Sequence, residues 1–559
     1  MMTMQKKRTQ WLSLLLSSVG LMLLGSAAHA QLVNTDKGWV YGNATATYKT
    51  WLGIPYAAST GPILFGPNNR WKPPQPVTPW VGIRYSMFAG SICEQAQPPF
   101  GLAAGSEDCL FINIGAPANA TATSKLPVIV YVHGGAMTGG SGTDPNIDGT
   151  VIPGKANVVF VTMNYRVGSL GFLGHAGLFA ESGGSANAGN YGLLDVIQAL
   201  KWIKTNIANF GGDPNHVTLT GGSSGALMVW DLLASSAANG LYARAITESY
   251  SPSGAPNVLG GVISAGAAKT QGTTFANAAG CTGSDAAVIS CLRGKDPGSL
   301  MTAQGITTLG SLWGPVYGGG SLLPRSPYQA LLTGNYNHVT MINGTNHDEG
   351  RFVSNVQYDL GAFAPMTAAQ YDDYLTKTYG SRKDEVLAQY NPADYAALAY
   401  DTTKPNYSLA YAAIITDSGF ACTARTVNKL IGNSIPALYA YELNDPKAYA
   451  IFPHFNYDLG SYHGAEAYYI MQQATAALGG TAEQIALSNQ IMTYWGKFAA
   501  TGSPNGGGGP TWTKYSPSTD GYITFEPAAT GAAGTNSRML PSSTFDSFHK
   551  CAFWSTFGI

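Results

Sequence analysis

The chain reads as an α/β protein built on a large, mostly parallel sheet flanked by helices. Three observations predict this. Continuous apolar runs of strand length alternate with helix-length segments through the first half, as expected of a parallel sheet buried on both faces. One such run, Val217-Thr218-Leu219-Thr220, stops at Gly221-Gly222-Ser223-Ser224-Gly225 and passes straight into a helix-like segment. Hydrophobic residues make up 45% of the 559, enough to cover such a sheet and too many for a disordered chain.

The elements follow in order. Leu126–Val132 is an unbroken apolar strand that ends in His133-Gly134-Gly135-Ala136, and Asn157–Met163 is a second. Tyr191 to Ile207 carries helical periodicity. The Val217–Thr220 strand follows, then a helix over Ala226–Leu233. His338–Ile342 reads as a strand leading into Asn346-His347-Asp348-Glu349-Gly350. Residues 351 to 435 read as mostly helical, and Ala437–Leu443 returns as a strand just after Pro436, where proline is tolerated. An amphipathic helix over Ala482–Ala500 precedes a Gly-Pro loop, Ser503 to Pro510. No repeat and no linker interrupts this order, so residues 31–559 are expected to form a single domain.

Residues 1–30 read as a leader of bacterial type. Lys6, Lys7 and Arg8 precede an apolar stretch from Trp11 to Gly25, and Ala28-His29-Ala30 fits a cleavage site, so the mature chain is expected to start near Gln31. The stretch is shorter than the roughly 20 apolar residues a membrane span needs. This predicts export to the periplasm or medium, with no membrane anchor after cleavage. The net charge of −1 supplies no field for nucleic acid or an anionic surface, and points to small, neutral substrates. The six cysteines suggest three disulfides in an oxidising compartment, although six cysteines allow about 15 pairings. None has zinc-site spacing, so no metal or other cofactor is expected. Four N-x-S/T sequons, at Asn43, Asn119, Asn343 and Asn406, read as incidental.

Chemistry concentrates at Ser223. A G-x-S-x-G turn between strand and helix is the setting of a nucleophile elbow, yet the motif alone is weak in a chain with 69 glycines. Acyl transfer by serine also needs a base, a group that orients the base, and donors for the oxyanion. His133-Gly134-Gly135-Ala136 stands where a loop of oxyanion donors belongs. Downstream, the base candidates are His454, His463 and His549; His463 is favoured by its glycine-flanked setting, Gly460 to Glu466. Asp348 and Glu349 both satisfy the requirements for the acid.

Several ordered motifs carry a resemblance. They are Gly53-Ile54-Pro55-Tyr56-Ala57, Ser106-Glu107-Asp108-Cys109-Leu110, Asn164-Tyr165-Arg166-Val167 and Gly189-Asn190-Tyr191-Gly192-Leu193-Leu194-Asp195. Phe210-Gly211-Gly212-Asp213-Pro214 and Tyr494-Trp495 continue the series. From about Val33 to its end the chain resembles the type B carboxylesterase/lipase family, which includes the cholinesterases. The resemblance implies an α/β-hydrolase fold and a serine hydrolase that cleaves carboxylic esters. It assigns Ser223 as nucleophile, His463 as base and Glu349 as acid, with the amides of Gly135, Ala136 and Ser224 as the oxyanion hole. Ser249 falls on a serine that stands behind the acid. The disulfides it implies are Cys93–Cys109, Cys281–Cys291 and Cys422–Cys551, and Arg70–Glu107 and Arg166–Asp195 resemble the family's structural ion pairs.

Departures from the family narrow the substrate. Gly222 replaces the usual glutamate of G-E-S-A-G, and the Cys93–Cys109 loop lacks tryptophan, its only aromatic being Phe100. Both disfavour choline esters, whose ammonium needs a carboxylate or an aromatic face. Leu309 and Ser311 fall where cholinesterases narrow the acyl pocket with aromatics, implying a roomier site. Gly318 stands where the family usually has aspartate, and nothing in the sequence explains it. A lipase or an aromatic-ester or polyester hydrolase is the alternative within the family, and a non-catalytic, cholinesterase-like binding protein the alternative outside enzymes.

Overall fold

Among the described residues, a thirteen-stranded mixed sheet forms the centre of the molecule. The computed structural model describes residues 31–61, 68–97, 102–144, 151–183, 188–254, 261–305, 313–360, 364–471, 477 and 479–559. The leader expected over 1–30 lies outside the described residues, as do Phe100, Leu309 and Ser311. Twelve strands follow one path: β1 (Gln31–Thr35), β2 (Gly38–Ala44), β3 (Tyr48–Pro55), β4 (Phe111–Pro117), β5 (Leu126–Val132), β6 (Val159–Met163), β7 (Gly212–Gly222), β8 (Arg244–Glu248), β9 (Thr340–Asn346), β10 (Leu438–Leu443), β11 (Tyr522–Phe525) and β12 (Arg538–Leu540). Their spatial order is β1-β2-β3-β4-β6-β5-β7-β8-β9-β10-β11-β12. β1 to β4 are antiparallel, β6 through β11 are parallel, and β12 closes antiparallel. The short strand Ile83–Tyr85 pairs beside β2.

The apolar runs are explained by what covers them. Alternate residues of β5 point to opposite faces: Val128, Val130 and Val132 join one core, Ile129 and Tyr131 the other. Helix α1 (Tyr191–Asn206) packs into the first core through Leu193, Val196, Leu200 and Ile203. A later helix, Ala482–Thr501, packs into the second through Leu487, Ile491, Trp495 and Phe498. With both faces covered, a strand has no polar side and reads as a continuous hydrophobic run.

The expected elements are present with shifted ends. The 338–342 strand is Thr340–Asn346, the 217–220 strand lies within the longer β7, and Asn157 caps a short helix in the left-handed conformation (φ 54°) before β6 starts. The region 351–435 contains helices at Ala368–Tyr379, Lys383–Gln389, Tyr407–Ile415 and Cys422–Ile431.

Three disulfides form, with the pairing implied by the family: Cys93–Cys109, Cys281–Cys291 and Cys422–Cys551, at Cα separations of 4.8, 5.7 and 5.2 Å. Arg166 lies 2.7 Å from each carboxylate oxygen of Asp195, and Arg70 grips Glu107 in the same two-pronged way, all buried. Among the described residues, no helix is long and apolar enough to cross a membrane.

Candidate active site

β7 ends at Gly222, and Ser223 turns the chain into α2 (Ser224–Ala234) with φ 57° and ψ −128°. That conformation costs a non-glycine residue about 1–3 kcal/mol. It is held by the Ser223 N–H, which donates to the Glu248 carbonyl at 2.9 Å. The flanking glycines permit the turn sterically. A Cβ on Gly225 would meet the Val132 carbonyl oxygen at 2.1 Å, and one on Gly221 would sit 2.5 Å from the Gly225 carbonyl carbon.

Two distant segments meet the turn. His463 Nε2 lies 2.7 Å from Ser223 Oγ, and His463 Nδ1 lies 2.6 Å from Glu349 Oε2. Glu349 opens α3 (Glu349–Ser354) immediately past the end of β9 and is fully buried. Its other oxygen accepts from Thr345 Oγ1 at 3.0 Å and from the Asn346 N–H at 2.8 Å. With Nδ1–H directed at the carboxylate, Nε2 is left to accept from the serine hydroxyl. Burial alone would lower the His463 pKa, but the Glu349 charge and hydrogen bond prevail, with help from Glu466, and raise it above 6.5. The rings of Phe352 and Phe420 lie 6.0 and 5.0 Å from the imidazole.

The rival candidates are engaged elsewhere. Asp348 accepts from the Ser461 N–H and pairs with Arg351 at 2.8 Å. Burial would raise its carboxyl, yet Arg351 and His347 hold it well below the usual range. His454 Nδ1 is 3.1 Å from the Phe452 carbonyl. His549 lies between Asp417 and Glu442, at 2.8 and 2.5 Å. His347, Glu442 and His549 bring ligand-type atoms within 4.8 Å of one another, but both nitrogens of His549 are taken by those carboxylates, as in a buried ion triad.

The loop after β5 abuts the serine. A Cβ on Gly134 would come within 3.1 Å of Ser223 Cβ and of the Gly222 carbonyl. Gly135, Ala136 and Met137 run through positive φ (115°, 53° and 62°). Among the described residues, the amides of Gly135 and Ala136 donate to no other residue. Ser224 is the first residue of α2, where backbone N–H groups have no intrahelical acceptor. Ser249 is fully buried just past β8 with φ 59°. Among the described residues its hydroxyl has no hydrogen-bond partner, so the structure does not join it to Glu349. Thr345 and Asn346 hold the acid instead, and neither was singled out by sequence.

The family model described as the carboxylesterase family matches residues 29–553. The chain belongs to the carboxylesterase family. It is 30% identical to carboxylesterase 1D of Rattus norvegicus, over 95% of this chain and 94% of that protein. It is 31% identical to cocaine esterase of Homo sapiens, over 88% of each. A solved PNB esterase superposes with a TM-score of 0.73 at 26% identity, covering 93% of this chain and 99% of that one. The sheet and its flanking helices are therefore those of an α/β-hydrolase, and the protein is a carboxylic ester hydrolase.

Within this carboxylesterase, Gly222 has a structural counterpart that sequence did not reveal. A Cβ there would lie 2.9 Å from Tyr131 Oη, 3.5 Å from Glu466 Oε1 and 3.6 Å from Glu248 Oε2. Two carboxyl groups from other elements thus face the position where the family usually carries its own. Burial, reinforced by Glu466, pushes Glu248 up to about 8, and burial with the Glu349 charge raises Glu466. Burial and the neighbouring Glu466 thus both favour the protonated form of Glu248.

Proposed function

We propose that the carboxylesterase cleaves small neutral esters through an acyl-enzyme on Ser223. The reading rests on the 2.7 and 2.6 Å hydrogen bonds that join Ser223, His463 and Glu349 at the turn. His463 takes the hydroxyl proton as Ser223 Oγ bonds to the ester carbonyl carbon. The resulting oxyanion is held by the amides of Gly135, Ala136 and Ser224. When the tetrahedral intermediate collapses, His463 returns the proton to the departing alcohol. Water then attacks the acyl carbon, again giving its proton to His463, and the acid leaves as Ser223 regains its hydroxyl. Glu349 fixes the tautomer through Nδ1 and offsets the imidazolium charge.

Neutral esters are favoured because burial and Glu466 disfavour a charge on Glu248, and the Cys93–Cys109 loop has no tryptophan for an ammonium group. The leader-like 1–30 segment and the three disulfides support export, with residues 31–559 working as one domain. N-terminal sequencing of the exported protein is expected to begin at Gln31.

Ser223→Ala should lower kcat by about a million-fold, as in other serine triads, and should abolish covalent labelling by an organophosphate. Retention of a tenth of wild-type esterase activity by the purified variant would overturn the assignment. A chain-length series of p-nitrophenyl esters, beside an aromatic diester, should give higher kcat/KM for small neutral esters than for long-chain esters or the diester. A maximum at long chains or at the diester would instead indicate a lipase or a polyester hydrolase.

A further inference from the structure

The loop that carries Gly135 and Ala136 is under backbone strain, and its fixation depends on a residue outside the loop. Ala136 and Met137 are non-glycine residues at φ 53° and 62°, and Gly140 follows at φ 97°. Such conformations persist only where the surroundings over-determine them. The turn closes on itself through Thr138 and Gly139, whose N–H groups donate to the Gly135 carbonyl at 3.1 and 3.0 Å. Its middle is held by the Gly168 N–H, which donates to the Met137 carbonyl at 2.6 Å. Its far end, Gly140, is held by one side chain. The Gly140 N–H donates to Gln95 Oε1 at 2.9 Å, and Gln95 Nε2 donates back to the Gly140 carbonyl at 3.1 Å.

Gln95 is only 6% exposed, and its amide has a third bond. Nε2 also donates to the Cys93 carbonyl at 2.9 Å. It sits on a short ribbon, Gln95–Gln97 paired with Leu102–Ala104, inside the loop that the Cys93–Cys109 disulfide closes. The fit is close, for a Cβ on Gly139 would sit 2.9 Å from Gln95 Oε1. One primary amide thus satisfies both backbone groups of Gly140 and ties them to the disulfide-closed hairpin.

We infer that Gln95 is a positioning residue for the oxyanion loop, and that through it the Cys93–Cys109 hairpin sets how well the Gly135 and Ala136 amides meet the transition state. The inference rests on the oxyanion role proposed for those amides. Oxyanion donors act only when charge has moved onto the carbonyl oxygen. Loosening the loop therefore lowers kcat and leaves ground-state binding nearly unchanged. The Ser223–His463–Glu349 hydrogen bonds do not pass through Gln95, so the pH dependence set by the base stays where it is.

Two variants test this. Gln95→Met keeps the bulk and removes all three hydrogen bonds. Gln95→Glu keeps an acceptor for the Gly140 N–H but turns an ionisable group toward the Gly140 and Cys93 carbonyls. For each, kcat and KM are measured per active site titrated to completion with an organophosphate, together with the Ki of a trifluoromethyl ketone, whose bound oxyanion uses the same amides. The expected result for both is a kcat lower by about 10-fold or more. KM should stay within about threefold, ketone affinity should fall in parallel with kcat/KM, and the acid limb of kcat/KM should not shift. If kcat per titrated site and ketone affinity stay within about twofold of wild type, the inference is wrong, even where the number of titratable sites falls, because that loss is one of folding alone. A shift of the acid limb would equally overturn it, since Gln95 would then act through His463. Failure of the underlying site assignment is read separately, from activity retained by Ser223→Ala.

Discussion

At the scale of single residues, the two hydrogen bonds that join Ser223, His463 and Glu349 make a specific electrostatic claim. His463 is buried, which by itself disfavours the imidazolium, yet the adjacent Glu349 carboxylate raises its pKa above 6.5. A base must start neutral, so kcat/KM should fall with decreasing pH along a limb centred above the ordinary histidine value. Glu349→Gln separates the two roles of the acid. An amide in the same place cannot offset the imidazolium and favours the wrong tautomer, so kcat should drop by about 10,000-fold. It also removes the charge that raises the imidazole pKa, so the acid limb of the residual activity should move to lower pH. A pH–rate series on both proteins checks this, and an unmoved limb would show that Glu349 does not set the His463 pKa. Ser223 and His463 could be proposed from their glycine-flanked settings, whereas Glu349 was separated from Asp348 only by the family resemblance. Thr345 and Asn346 could not be proposed, because a hydroxyl and a backbone amide that secure a carboxylate leave no pattern of their own.

At the scale of elements, the strand-turn-helix unit of β7, Ser223 and α2 could be read directly, and its neighbours only in part. β5 and β6 are buried on both faces and appear as apolar runs. β8 was missed because it is only five residues long, Arg244–Glu248, and buries Thr247 and Glu248 among its few apolar side chains. The antiparallel ribbon β1 to β3 was missed because partly exposed residues such as Leu32 and Trp39 alternate with buried ones, and the pattern is weak over five to eight residues. Missing β8 hid Glu248, and so left the carboxyl pair opposite Gly222 unseen. The packing there predicts the effect of restoring the family's glutamate. In Gly222→Glu the new Cβ would lie 2.9 Å from Tyr131 Oη, with Glu466 and Glu248 directly beyond it. A third carboxyl group in that buried space is both crowded and electrostatically opposed. The variant should therefore lose Tm relative to wild type, and Gly222→Glu combined with Tyr131→Phe should recover part of the loss. A Gly222→Glu protein as stable as wild type would show that the neighbours rearrange freely.

At the scale of the whole molecule, the parallel strands β5, β6, β7, β9 and β10 and the family frame were legible, and the cysteine pairing came with that frame, whereas the long-range polar joints were not. His549 illustrates why: its partners Asp417 and Glu442 lie 132 and 107 residues upstream, and no spacing rule connects them. The same tail is covalently tied by Cys422–Cys551, which closes a separation of 129 residues and is worth about 5 kcal/mol in the chain-entropy account. Held in this way, His549 makes stability depend on pH with a definite sign. Burial alone would lower its pKa, but the Glu442 and Asp417 charges prevail and raise it to about 10 in the folded protein, against about 6.5 in an unfolded chain. A raised histidine pKa stabilises the fold fully below the unfolded value, and the contribution is lost as pH climbs through the folded value. The denaturant midpoint should therefore decline between roughly pH 6.5 and 10. His549→Gln should be less stable than wild type at pH 7, because two buried carboxylates lose their cation, and its midpoint should change less over the same range. The effect should amount to a few kcal/mol, on the order expected when one partner of a buried ion pair is removed. Equilibrium unfolding of both proteins at pH 7, 8.5 and 10 tests it. Parallel midpoint curves for the two would mean that His549 is not the group through which the tail senses pH.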